Sequence, residues 1–264
     1  MLTVGSLFSG IGGLDLGLER AGMEVRWQVE IDPYCTRVLA KHWPNVTRYG
    51  DIKAIDWKEV EPVDLICGGF PCQPVSLAGK RLAQDDPRWL WPEFARCLRA
   101  LRPRYALLEN VPGLLSAGMS DVLGDLAESG YDAEWDCIPA AAVGAPHLRK
   151  RVWLLAHANC ESRGVRACGI YGRHELVQQG TDRAAEEWSD DRKLCPLVPG
   201  VCQGVVKDWW RAQSRVDRSA HGVPNRVDRL RGLGNAVVPQ VAEWIGRRIM
   251  QTTTIRGTEN GDTE

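Results

Sequence analysis

The chain has 264 residues and a formal net charge of -1, with 44% hydrophobic and 25% charged residues. This length suits one large α/β domain with a small insert or two modest domains, and the charge excludes a polycation of the histone type. No stretch approaches the roughly 20 apolar residues of a membrane helix, and the first residues lack the features of a signal peptide. The nine cysteines are irregularly spaced, which favours a cytoplasmic protein with reduced thiols.

Short β-rich runs alternate with helical patterns through the first 157 residues. Predicted strands cover residues 3–8, 25–30, 64–67, 105–109, 131–139 and 151–157, and predicted helices cover residues 13–21, 33–43, 89–101 and 120–129. This alternation predicts an α/β fold whose mainly parallel sheet carries helices on both faces. Ligands bind such sheets at the carboxyl ends of the strands. Residues that directly follow a strand are therefore the candidate site residues.

The alternation stops after residue 157. Residues 158–206 show little periodicity, and residues 205–231 carry seven basic residues against three aspartates, a net charge of +4. Apolar residues at helical spacing return in residues 236–250, which predicts a last helix. The polar residues 252–264 are expected to form a disordered tail.

A glycine-rich turn follows the first predicted strand, in LFSGIGGLDLGLERAG at residues 7–22. Gly10, Gly12 and Gly13 let the backbone approach a ligand closely and present its N–H groups. Glu30, at the end of the second strand, is placed to bind a pair of ribose hydroxyls. Asp51 either reaches an adenine amino group or is an ordinary turn carboxylate. These features are compatible with an adenosine-type cofactor, although such turns are as often purely structural.

The segment CGGFPCQPVS places Cys72 at the tip of a buried strand. Pro71 stiffens the backbone before it, and an exposed thiol on a rigid turn is what a nucleophile needs. The alternative is a small packing residue, which describes most free cysteines.

Two further motifs bring charged side chains to the same predicted sheet edge. Glu109 follows the apolar strand at residues 105–108, and burial there would raise its pKa and let it hold a proton near neutral pH. Arg149 and Arg151 share a parity as they enter an apolar strand, so both can face one side and bind carbonyl or phosphate oxygens. Each of these residues taken alone could also be an ordinary strand end.

Taken in order, these segments resemble the motifs of the bacterial and phage cytosine-5 DNA methyltransferases. The resemblance rests on LFSGIGGLDLGLERAG, VEIDPYC, GDI, GGFPCQPVS, ENVPGLL, the HLRKR run and RLRGLGNAVVPQVA, and covers residues 2–155 and about 226–250. It implies a Rossmann-like S-adenosylmethionine-dependent methyltransferase fold plus a small irregular target-recognition domain. The implied regions are a catalytic and cofactor-binding domain at 1–157, target recognition at 158–223 and a segment returning to the catalytic domain at 224–251.

The resemblance also implies roles for the catalytic candidates. Cys72 would add to carbon 6 of cytosine, and Glu109 would bind ring nitrogen 3 and the exocyclic amine. Arg151 would hold the base carbonyl, and Arg149 would brace Glu109 or a phosphate. The target atom is buried in the duplex stack, so the base must be flipped out. The family usually has Gln where this chain has His147, which affects the hydrogen bonds around both arginines.

The implied cofactor is S-adenosylmethionine. The residues expected to bind it are Phe8, Gly10, Ile11, Gly12, Gly13, Glu30, Ile31, Asp51, Ile52, Pro71, Asn235 and Ala236. Ile31 stands where some relatives carry an aromatic residue, which predicts aliphatic packing on the adenine. Asn235 could instead be a helix N-cap.

The implied substrate is double-stranded DNA, with no membrane partner and no metal. The residues expected to contact DNA are Ser76, Lys80, Arg81, Arg88, Lys207, Arg211, Arg215 and Arg218, the first four on a loop at residues 76–88 that closes over DNA. One or two arginines between positions 163 and 192 are expected to read bases in a site of about four to six base pairs. A monomer of phage or prophage type is expected, with a restriction endonuclease as a functional rather than a physical partner.

Four alternatives were weighed against this prediction. A tRNA cytosine methyltransferase would carry a Cys-Phe-Thr signature, which residues 157–223 lack, and an inactive DNA-binding homologue would have lost one of Cys72, Glu109 and Arg151. A zinc site in the insert is disfavoured by cysteine gaps of six and seven residues. An NAD-dependent dehydrogenase would need a third glycine in the first turn and leaves the Pro-Cys-Gln turn unexplained.

Overall fold

A computed structural model describes residues 1–71, 89–159 and 226–259. Seven strands form one sheet in the order β3-β2-β1-β4-β5-β7-β6. β7 is antiparallel to both β5 and β6, and the other pairings are parallel. The strands are β1 (Thr3–Leu7), β2 (Glu24–Val29), β3 (Thr47–Tyr49), β4 (Leu65–Gly68), β5 (Tyr105–Asn110), β6 (Tyr131–Pro139) and β7 (Lys150–Ala158). The predicted α/β fold with a mainly parallel sheet is confirmed.

Seven α-helices in the described ranges cover the sheet. They are α1 (Gly13–Arg20), α2 (Pro33–His42), α3 (Trp91–Leu101), α4 (Leu114–Ala117), α5 (Met119–Glu128), α6 (Arg226–Asn235) and α7 (Pro239–Glu259). Short 3-10 helices lie at Ile52–Ala54 and Ala140–Val143. Asp32 begins α2, because its side chain accepts hydrogen bonds from two N–H groups of the first turn and Pro33 occupies the first helical position.

Each face of the sheet packs a separate apolar layer. Alternate residues of one strand enter opposite layers: Leu65 belongs to one and Ile66 to the other, and the same holds for Leu107 and Leu108. The central strands β4 and β5 are buried at every position, as expected where a sheet is covered on both faces. This rigid sheet holds the carboxyl ends of β1, β4 and β5 side by side.

The last helix, α7, packs closely on α1. A Cβ atom added to Gly17 would lie 2.4 Å from the carbonyl oxygen of Pro239, and one added to Gly246 would lie 2.7 Å from Cβ of Ala21. Glycine is therefore required on both helices for this approach. The helix continues to Glu259, whereas the sequence pattern predicted a disordered tail from residue 252.

Three elements beside the two 3-10 helices were not predicted from the sequence, namely the three-residue strand β3, the four-residue helix α4 and the helix α6. Several predicted site residues lie outside the described ranges, namely Cys72, Ser76, Lys80, Arg81, Arg88, Lys207, Arg211, Arg215 and Arg218. The same holds for nearly all of the predicted target-recognition region and for the cysteines of the disfavoured zinc site.

No helix in the described part of the chain is long and apolar enough to cross a membrane. Within that same part, no three His, Cys, Asp or Glu side chains gather as a possible metal site.

Candidate active site

A cavity of about 550 Å³ opens at the carboxyl ends of β1, β2, β4 and β5. Eleven of the predicted site residues line it: Phe8, Gly10, Glu30, Ile31, Asp51, Ile52, Pro71, Glu109, Arg149, Arg151 and Asn235. Residues separated by more than 200 positions in sequence thus share one space. The cavity brings together most of the predicted cofactor contacts and the described catalytic candidates.

The other predicted cofactor contacts divide into two groups. Gly13 and Ala236 line an adjoining cavity of about 50 Å³ that also contains Phe8 and Glu109. Gly12 and Ile11 line neither of these two cavities. A Cβ on Gly12 would lie 2.4 Å from the Trp43 ring, and Ile11 packs toward Gly232. Gly12 is thus a packing requirement rather than a lining residue.

Glu30 fixes the glycine-rich turn that follows β1. Its Oε2 accepts a 2.7 Å hydrogen bond from the N–H of Gly10, and its Oε1 accepts a 2.8 Å bond from the N–H of Asp32. Phe8, Gly10 and Gly12 have positive φ values of 53, 56 and 86°. Left-handed backbone in a non-glycine residue such as Phe8 is held only where the surroundings enforce it. The turn is therefore shaped before any ligand binds.

A buried carboxyl group lies beneath this turn. Asp15 accepts hydrogen bonds from Ser6 Oγ at 3.0 Å and from Gln28 Nε2 at 2.8 Å. It is fully buried, and this burial raises the pKa of Asp15 to about 6, against the opposing effect of both hydrogen bonds. The network ties α1 to β1 and β2, the two strands whose ends carry the glycine-rich turn and Glu30.

Asp51 and Asn235 have local roles that bear on their predicted functions. Asp51 Oδ1 accepts a 3.0 Å hydrogen bond from the N–H of Lys53, as expected of a turn carboxylate. Asp51 also lines the cavity. Asn235 ends α6 and lies four residues before α7 begins. The alternative that Asn235 caps the amino terminus of the last helix is therefore wrong.

Glu109 emerges at the end of β5 and forms an ion pair with Arg151 on the neighbouring β7. Glu109 Oε1 lies 3.0 Å from Arg151 Nε, with side-chain exposures of 11% and 23%. Burial raises the pKa of Glu109, and the charges of Arg151 and Arg149 oppose that rise. A Cβ on Gly69 would lie 2.9 Å from Glu109 Oε2, so a glycine at the end of β4 leaves room for the carboxylate.

Arg149 precedes β7 and has a different partner from Arg151. Its Nη2 donates to the carbonyl oxygens of Gly234 at 2.8 Å and of Ala236 at 2.7 Å. Both arginines line the large cavity, yet the strand parity predicted for the pair does not apply, because β7 begins only at Lys150. His147, two residues earlier, is exposed.

Asn110 is a site residue that sequence reasoning did not select. Its buried side-chain amide donates a 3.1 Å hydrogen bond to the carbonyl oxygen of Phe70. That bond ties β5 to the turn that leads through Pro71 to Cys72, and Cys72 itself lies outside the described ranges. The signal was its position immediately after Glu109, at the same sheet edge.

The helix α6 contributes a wall of the cavity through Asp228, Arg231 and Gly232. Arg231 Nη1 lies 3.9 Å from Asp32 Oδ2, a distant and exposed ion pair. The sequence indicated only a basic stretch here, because α6 has no continuous apolar face.

The profile of the family "C-5 cytosine-specific DNA methylase" matches residues 2–164. The Type II methyltransferase M.NgoMIV of Neisseria gonorrhoeae is 38% identical over 157 residues, which are 57% of this chain and 50% of that protein. The Type II methyltransferase M2.BsuMI of Bacillus subtilis is 38% identical over 300 residues, covering 95% of this chain and 76% of that protein. The chain thus spans about half the length, or less, of several relatives that it matches.

A solved structure supports the same fold. It is a candidate DNA modification methyltransferase encoded within a prophage of E. coli, with 28% sequence identity and a TM-score of 0.54. The match covers 66% of this chain and 51% of that protein.

Proposed function

Because this chain belongs to the family of C-5 cytosine-specific DNA methylases, we propose that it methylates carbon 5 of cytosine within a short specific site of double-stranded DNA. The observation that carries the proposal is the ion pair between the buried Glu109 and the half-buried Arg151. It lies in one cavity with Glu30 and with Pro71, the residue before Cys72. A carboxyl group and a guanidinium in one cavity with the residue that precedes Cys72 suit the covalent activation of a pyrimidine ring.

Cys72 is the proposed nucleophile. Its thiolate adds to carbon 6 of the flipped cytosine and forms a carbon–sulfur bond, and the displaced electron pair makes carbon 5 nucleophilic. After methylation, loss of the proton on carbon 5 restores the ring double bond and expels the thiolate of Cys72. Support comes from the rigid approach to this position, where Asn110 holds the carbonyl of Phe70 and Pro71 restricts the backbone.

Glu109 and Arg151 are proposed to hold the base. Burial raises the pKa of Glu109, so its carboxyl group can keep a proton and share it with ring nitrogen 3 as charge develops there. Arg151 fixes the Glu109 carboxylate through Nε and can direct its remaining donors to the base carbonyl oxygen. Both residues would act most strongly on the covalent intermediate, as transition-state stabilisation requires.

The residues around the larger cavity fit S-adenosylmethionine. Glu30 has unused lone pairs on both oxygens for ribose hydroxyls, since each oxygen is engaged by one N–H group. A Cβ at Gly10 would contact nothing within 4 Å, so this position of the glycine-rich turn is open for close approach of a ligand. When bound, S-adenosylmethionine supplies the electrophilic methyl group. Ile31, 69% exposed, is proposed to pack on the adenine.

Recognition of the target sequence is proposed for residues 158–223, which lie almost entirely outside the described ranges. The names of M.NgoMIV and M2.BsuMI as Type II methyltransferases support a restriction–modification context. A partner endonuclease would then act on the same DNA site without binding this chain, in the cytoplasm.

Expression in a methylation-free bacterium, followed by bisulfite sequencing of its genome, tests the proposed function. We expect protected cytosines at one short recurring sequence, and none in cells that express Cys72→Ala. Methylated cytosines without a common sequence would contradict site specificity. Absence of methylation from the DNA of cells with soluble wild-type protein would contradict the activity itself.

A further inference from the structure

Arg149 and Arg151 are two residues apart but bind different parts of the molecule. Arg151 pairs with Glu109 in the base-binding half of the cavity. Arg149 directs Nη2 to two carbonyl oxygens of the turn that ends α6, those of Gly234 and Ala236. These carbonyls lie 85 and 87 residues further along the chain. Arg149 therefore joins the start of β7 to the carboxyl-terminal segment.

The backbone of Arg149 indicates that this contact is maintained against a local cost. Its φ value is +33°, in a region that side-chain-bearing residues adopt rarely. Burial and the like charge of Arg151 lower the pKa of Arg149, and the opposite charge of Glu109 counteracts them. Such a conformation persists only when other contacts fix it, and the bonds to Gly234 and Ala236 are the hydrogen bonds that do so.

The turn that Arg149 holds forms part of the cofactor cavity. Gly234 and Asn235 line the larger cavity and Ala236 lines the smaller one. A Cβ on Gly13 would lie 2.7 Å from the carbonyl oxygen of Val237, so this segment rests directly on the glycine-rich turn. A small displacement of residues 234–237 would change the shape of the cavity where the glycine-rich turn faces it.

We propose that Arg149 is a positioning residue for the cofactor site, holding the Gly234–Ala236 turn in place rather than binding the target base. The inference rests on the proposed function only for the identity of the cofactor. The contact of Arg149 with Gly234 and Ala236 does not depend on that identity. One guanidinium nitrogen serves two carbonyl groups at once, which the compact ammonium of lysine matches less well. The two arginines thus divide the work: Arg149 shapes the cofactor half, and Arg151 shapes the base half.

The test measures cofactor binding without DNA. Calorimetry with S-adenosylmethionine alone should show binding to Arg149→Met weakened about tenfold or more, equivalent to about 1.4 kcal/mol. Arg149→Lys should fall between this variant and wild type. The matched control is Arg151→Met, which should bind S-adenosylmethionine within about twofold of wild type, within the spread of small effects, while losing methylation.

A second measurement uses the unliganded protein. Hydrogen exchange in a peptide that spans residues 232–245 should quicken in Arg149→Met and not in Arg151→Met, because only the first removes the donor to Gly234 and Ala236. If S-adenosylmethionine does not bind wild type, the proposed function fails. Hydrogen exchange in the unliganded protein then decides by itself whether Arg149 holds the Gly234–Ala236 turn. The inference would be overturned if Arg149→Met lost methylation with hydrogen exchange and cofactor affinity both unchanged. Arg149 would then act on the target base or on a DNA phosphate. If Arg149→Met does not fold, Arg149→Lys carries both measurements.

Discussion

The Nε atom of Arg151 lies 3.0 Å from Oε1 of Glu109, and the pair joins two antiparallel neighbours, β5 and β7, at the mouth of the cavity. The side chains of Glu109 and Arg151 are only 11% and 23% exposed, so each charged group is stabilised by the other more than by water. Burial raises the pKa of Glu109 while Arg151 opposes the rise. The protonation of Glu109 is therefore set by a balance that a single substitution can shift.

Replacing Arg151 should make stability depend more strongly on pH. In Arg151→Met the pKa of Glu109 rises further, so the folded state holds a proton that the unfolded state releases, and stability falls as the pH rises. We expect a loss of about 2 kcal/mol at pH 8, with a smaller loss at pH 5. Adding Glu109→Gln should recover most of the loss at pH 8. Urea unfolding of wild type, the two single variants and the double variant measures this, and a double variant no more stable than Arg151→Met would contradict the pairing.

Gly69 should be essential for placing Glu109. In Gly69→Ala the new Cβ would lie 2.9 Å from Glu109 Oε2, and the ion pair with Arg151 limits how far the carboxylate can move. We expect turnover to fall about tenfold or more, since small displacements of catalytic groups are costly, with the melting temperature nearly unchanged. Steady-state kinetics beside thermal melting would check this. Full turnover in Gly69→Ala would show that Glu109 tolerates displacement.

The contact between α1 and α7 predicts opposite effects for two helix glycines. Gly17→Ala places a Cβ 2.4 Å from the Pro239 carbonyl oxygen, and overpacking of this kind costs about 1 to 3 kcal/mol. Gly124→Ala in the middle of α5 meets nothing within 4 Å and should gain about 0.5 to 1 kcal/mol from helix propensity. Chemical denaturation compares them, and equal effects at the two sites would contradict the packing of α7 on α1.

Asp15 should make the fold less stable as the pH rises above 4. Its folded pKa of about 6 exceeds the ordinary 3.8, so the contribution of Asp15 is complete below about pH 3.8 and is lost as the pH rises through about 6. The difference is at most about 3 kcal/mol at about 1.4 kcal/mol per pH unit. Asp15→Asn should therefore be stabilised relative to wild type more at pH 8 than at pH 4.5. A constant difference across that range would mean that Asp15 is ionised throughout.

The sequence predicted the sheet well because its inner strands are continuous apolar runs. Strands were predicted at residues 105–109 and 64–67; the first extends one residue further at its end, and the second begins and ends one residue later. β3 was not predicted because one exposed and two half-buried residues carry no periodic signal. α6 was not predicted because only three of its ten residues are large and apolar, and two of these, Val227 and Leu233, are exposed at 75% and 48%.

The site residues that directly follow a strand could be predicted from the sequence. Contacts between residues far apart in the sequence could not. Glu30 and Glu109 follow directly from strand ends. The partner of Arg149 could not be predicted, because Gly234 is 85 residues away. The acceptor is also a backbone carbonyl, which every residue has, so the residue type does not indicate it. Asn110 was not predicted because its role depends on a backbone carbonyl, that of Phe70, in the turn that follows the neighbouring strand β4.

The covalent role of Cys72 is the central claim, and trapping the adduct tests it most directly. Duplex DNA containing 5-fluorocytosine at the target site should form a complex with wild-type protein and S-adenosylmethionine that survives denaturation, because fluorine cannot leave carbon 5 as a proton does. Mass spectrometry of the digested complex should place the modification on Cys72. Cys72→Ala should bind the cofactor normally, form no adduct and retain less than about a thousandth of wild-type turnover. An adduct on another residue, or one formed by Cys72→Ala, would contradict the assignment.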